Sequence, residues 1–71
     1  MLTFDDAKQR VKTAWPNYVI APEGYDVGSG WIVLLLPETA GGRIPLVSKD
    51  SGEIKWISSY SPEYRQDRPV S

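Results

Sequence analysis

Residues 31–36 read "WIVLLL", an unbroken apolar run between turn-forming segments. Its length and flanks read as a β-strand rather than a helix. Side chains alternate along a strand, so Trp31, Val33 and Leu35 point to one face and Ile32, Leu34 and Leu36 to the other. Both faces are apolar and both need cover. A chain of 71 residues is one domain, here residues 1–71. Its pattern offers one substantial helix, and a helix covers one face of a small sheet. The second face then falls to the C-terminal segment, to a second copy or to a partner protein. Left open, it is an interaction site.

The helix begins at Thr3. Asp6 completes a capping-box spacing, and Asp5 and Asp6 set negative charge in the first turn, where the macrodipole favours it. Phe4, Ala7, Val11 and Ala14 with Trp15 recur at helical spacing, Asp6 and Arg10 are placed for an i,i+4 pair, and Pro16 ends the helix. Residues 18–21 read as a short strand, "PEGYDVGSG" as turn and "PETAGGR" as loop. "IPLVSKDSGEIKWIS" reads as a β-hairpin. A three-residue loop of Asp50, Ser51 and Gly52 sets Leu46 opposite Trp56 and Pro45 opposite Ile57. Ile44, Leu46, Ile54 and Trp56 then share one face, and Pro45, Val47 and Ile57 the other. Ser61 and Pro62 can open one helical turn in the polar tail, residues 60–71, which is expected to be flexible or to cover the second face. The resulting fold class is α+β: one N-terminal helix on a three- or four-stranded antiparallel sheet, in α-β-β-β-β order.

Chemistry is sparse. With no His and no Cys, acid–base work is left to carboxylates, Lys and Tyr, and thiolate metal sites are excluded. Helix capping accounts for the adjacent pair Asp5–Asp6. Gly28-Ser29-Gly30 precedes a strand, where a phosphate loop leads into a helix, and Asp50-Ser51-Gly52-Glu53 lacks the ligand count of a calcium loop. No cofactor, metal or catalytic residue is expected. Eight basic against nine acidic residues are not the footprint of a nucleic-acid binder. No apolar run spans a bilayer and the N-terminus lacks a signal-peptide pattern, so a soluble, cytoplasmic protein is expected. Three Trp, four Tyr and one Phe are the better lead, since Trp and Tyr favour interfaces. Tyr25, Asp26, Trp31, Val47, Ile57 and Tyr60 are the candidate protein-binding residues.

The succession "FDDAKQRV", "GWIVLLLPE", "IPLVSKDSGEIKWI" and "PEYRQD" resembles the YrhB-type domain, the immunity protein 35 family, over nearly the whole chain. The resemblance implies a bacterial helix-plus-antiparallel-sheet protein of toxin systems that acts by stoichiometric binding, without catalysis. The expected function is therefore an immunity-type protein that binds and neutralises a toxin. Two other classes remain open. One is a chaperone-like or self-assembling protein that holds clients, or a homodimer partner, on the second sheet face. The other is a small carboxylate enzyme, which would need a raised pKa on Glu23, Asp26 or Glu38.

Overall fold

The computed structural model describes residues 1–36, 43–58 and 60–71. Helix α1 (Phe4–Ala14) starts as the sequence predicts. The Thr3 hydroxyl accepts the Asp6 N–H, and the Asp6 carboxylate accepts the Thr3 N–H, each at 3.2 Å. That carboxylate is therefore committed to the cap and the expected pair with Arg10 does not form. The Arg10 guanidinium lies against Gly52 instead, and Lys8 bridges Asp5 at 3.2 Å. Phe4, Ala7 and Val11 are the buried stripe.

Four antiparallel strands follow: β1 (Val19–Asp26), β2 (Gly30–Leu36), β3 (Arg43–Ser48) and β4 (Ile54–Ser58). A two-residue β5 (Pro69–Val70) completes a sheet of order β4-β3-β2-β1-β5. The α+β class and element order are as expected. The "PETAGGR" loop lies outside the described residues except for Arg43, which opens β3.

Two expectations about the strands, the length of β1 and the register of the hairpin, are corrected. β1 does not stop at Ala21; it runs on through Pro22 and Gly24 to Asp26, absorbing the proline in a bulge between Ile20 and Gly24. Gly24 is required there, because a Cβ would sit 2.1 Å from the Ile32 carbonyl and 2.7 Å from the Phe4 ring. The hairpin, in turn, closes one residue out of the expected register. Ser48 pairs with Glu53 (N–H to O, 2.9 Å), so Leu46 faces Lys55, Pro45 faces Trp56 and Val47 faces Ile54. The loop has four residues, Lys49 to Gly52, with Gly52 left-handed at φ 74°.

This register sorts the side chains. Phe4, Ala7, Val11, Val33, Leu35 and Val47 form the core under the helix, with Trp31, Ile54 and Trp56 packed against it. Ile32, Leu46 and Ile57 form a second core on the opposite face, beneath Tyr25, Val27 and Tyr64. The shared face assigned to Val47 and Ile57 is thus wrong: they lie on opposite sides of the sheet.

The second face is crossed by the chain's own tail. Glu63 takes Lys55 of β4 at 3.0 Å, and Tyr64 covers the middle of the face. Beyond it, the Asp26 N–H bonds the Arg68 carbonyl at 2.8 Å, and β5 pairs Gly24 with Val70 and Tyr25 with Pro69. The segment from Ser61 onward is a strap that leaves one sheet edge and docks on the other. Its start is a hydrogen-bonded turn, Tyr64 N–H to Ser61 O at 2.9 Å, rather than a helix.

Candidate interaction surface

The six candidate residues do not converge on one patch. Asp26 and Trp31 meet Lys49 at one end of the helix side. The Lys49 ammonium lies 2.7 Å from the Asp26 carboxylate and 4.4 Å above the Trp31 ring. The Gly28 N–H donates to the same carboxylate at 2.8 Å, and the Trp31 Nε1–H to the Leu2 carbonyl at 3.0 Å. The Lys49 hydrogen bond, then the Gly28 N–H, hold the Asp26 carboxyl below its ordinary range. This direction is opposite to the raised pKa that a carboxylic acid catalyst needs. The cluster knots four segments together: the N-terminal arm, the end of β1, the start of β2 and the β3–β4 loop.

Val47 is fully buried in the helix-side core and cannot meet a partner. Ile57 is buried beneath the strap, and Tyr25 is half-buried there with its ring edge-on to Tyr64 at 6.1 Å. Tyr60 alone of the six is open, 95% exposed at the start of the tail. Glu38 lies outside the described residues.

The strap covers only part of the second face. At the far end, Val19 and Leu36 are cross-strand partners, 59% and 52% exposed. Their neighbours Ile20 and Leu35 belong to the helix-side core, so alternation points Val19 and Leu36 to the strap side. The partly buried Leu34 and Ile44 lie on that side too. Both pack against the Ile32, Leu46 and Ile57 cluster. The result is a corner of four aliphatic side chains on three neighbouring strands.

Leu36 was legible in the sequence only as sharing a face of the apolar run with Ile32 and Leu34. Val19 lay inside the expected strand 18–21, but with "PEGYDVGSG" read as turn no register paired that strand with β2, so the pair was missed. Among the described residues, no group of three or more His, Cys, Asp or Glu is placed to hold a metal ion, and no helix is long and apolar enough to cross a membrane.

No family model matches this chain, and neither a curated protein nor a solved structure matches it.

Proposed function

We propose that this chain is a non-catalytic protein-binding domain of the immunity type, acting in the bacterial cytoplasm to bind and neutralise a toxin protein. The observation that carries the reading is the exposed Val19–Leu36 pair, continued inward by Leu34 and Ile44. Aliphatic side chains held rigidly on sheet strands, beside a polar strap, suit the apolar centre of a protein interface. The likeness of "GWIVLLLPE" and "IPLVSKDSGEIKWI" to the YrhB-type domain supplies the class of partner. Binding at such a corner neutralises by occlusion, one copy per toxin, without a chemical step.

The test is capture from a bacterial host lysate followed by reconstitution. One stoichiometric partner is expected, and its toxicity on expression should be relieved by co-expressing this chain. Indiscriminate capture of unfolded proteins would transfer the same corner to a client-holding role. A partner whose activity is untouched by the chain would end the neutralising reading.

A further inference from the structure

The two edges of the sheet are finished differently. At the β1 edge, β5 pairs with Gly24 and Tyr25. At the other edge, no strand lies beyond β4 among the described residues. The Ser48–Glu53 bond fixes the alternation along β4: Lys55 and Ile57 bond inward to β3, while the N–H and C=O groups of Ile54, Trp56 and Ser58 point away from the sheet. The Ser58 carbonyl takes the Ser61 N–H at 2.9 Å, and no described residue pairs with the outward backbone groups of Ile54 or Trp56. Only another β-strand matches such a row of donors and acceptors along its length.

We propose that the chain forms a twofold dimer in which two β4 strands pair antiparallel about Trp56. The register is self-complementary. With Trp56 opposite Trp56 of the second copy, Ile54 meets Ser58 and Lys55 meets Ile57, so no like charges face one another. A slip of two residues one way sets Lys55 against Lys55; a slip the other way leaves Ile54 beyond the partner strand. A slip of one residue puts the outward groups out of phase. β4 has no proline, and its one charged residue, Lys55, is tied to Glu63 of the strap at 3.0 Å. On the helix side, Trp56 sits in an aromatic group, its ring 4.8 Å from Trp15 and 6.3 Å from Tyr18. The twofold axis brings two such groups together, a composition favoured at interface centres. A net charge of −1 offers little repulsion between copies.

The experiment is sedimentation velocity from micromolar to millimolar concentration, with amide hydrogen exchange across the same series. Dimer should accumulate with concentration, and exchange at the Trp56 N–H should slow in step, while the Lys55 N–H, already bonded to β3, should not change. Ser58→Pro should weaken the dimer at least tenfold with unaltered circular dichroism, since it removes an outward N–H and leaves the inward ladder intact. A monomer at every concentration overturns the proposal. So does a dimer whose Trp56 exchange ignores concentration, or one that a folded Ser58→Pro variant forms as tightly. Should Ser58→Pro fail to fold, the wild-type exchange series decides alone.

Discussion

Replacing Tyr64 by alanine should loosen the strap, and the size of the effect follows from what the ring touches. Tyr64 is half-buried over Ile32, Leu46 and Ile57 and meets Tyr25 edge-on at 6.1 Å. Burying about half of a tyrosine's roughly 200 Å² at about 25 cal/mol per Å² stabilises by about 2.5 kcal/mol. The ring pair adds about 0.5–1.5 kcal/mol. A domain of this length has a total stability of about 4–11 kcal/mol, so a loss of about 3–4 kcal/mol is severe. It should lower Tm by about 12–30 °C, read by circular dichroism. Tyr64→Phe is the control: it keeps the ring and gives up only the hydroxyl that accepts from Gln66 Nε2 at 2.9 Å. Tyr60→Ala, at an exposed ring, should shift stability by no more than about 0.5 kcal/mol. If Tyr64→Ala melts like Tyr60→Ala, the strap is not docked and the reasoning fails.

Gly24→Ala should cost at least about 2 kcal/mol in urea unfolding, because its Cβ would meet the Ile32 carbonyl and the Phe4 ring. Val47→Asp should leave the chain unfolded by near-ultraviolet circular dichroism, since it buries a carboxylate in the helix-side core. The folded pKa of Asp26 is depressed, so its pair with Lys49 stabilises fully above the unfolded value near 3.8 and is lost as pH falls through the folded value. Asp26→Asn should therefore flatten the acid limb of stability against pH, and an unchanged limb would refute the assignment.

The helix was legible because its signals are local: the Thr3–Asp6 box and the Phe4, Ala7, Val11 stripe need no tertiary partner. The two faces of β2 were legible from alternation alone, as was the need to cover both. The hairpin was legible as a hairpin but not in register. Gly52 can close a three- or a four-residue loop, and Ile44 to Val47 is apolar on both sides, so no binary pattern selects one pairing. What accompanies the observed register is tertiary, Trp56 against Trp15 and Tyr18. Val47 and Ile57 were misassigned as a shared surface for that reason alone.

Pro22 and Gly24 hid the length of β1, since both residues weaken a strand unless a bulge or a close approach explains them. The strap is mostly polar, and besides the Tyr64 ring and the Glu63–Lys55 bridge its attachment uses backbone pairing at Asp26, Gly24 and Tyr25, which sequence composition does not advertise. With residues 22–30 read as turn, nothing fixed the register of Val19 against Leu36, and the exposed corner could not be drawn.

The measurement closest to the functional claim is calorimetric titration of the captured toxin partner with wild type and with Val19→Asp/Leu36→Asp. Both side chains are more than half exposed, so the double variant should keep its fold. Binding through the corner predicts an affinity loss of at least about 30-fold at unchanged circular dichroism. A folded double variant that binds as tightly as wild type would contradict it.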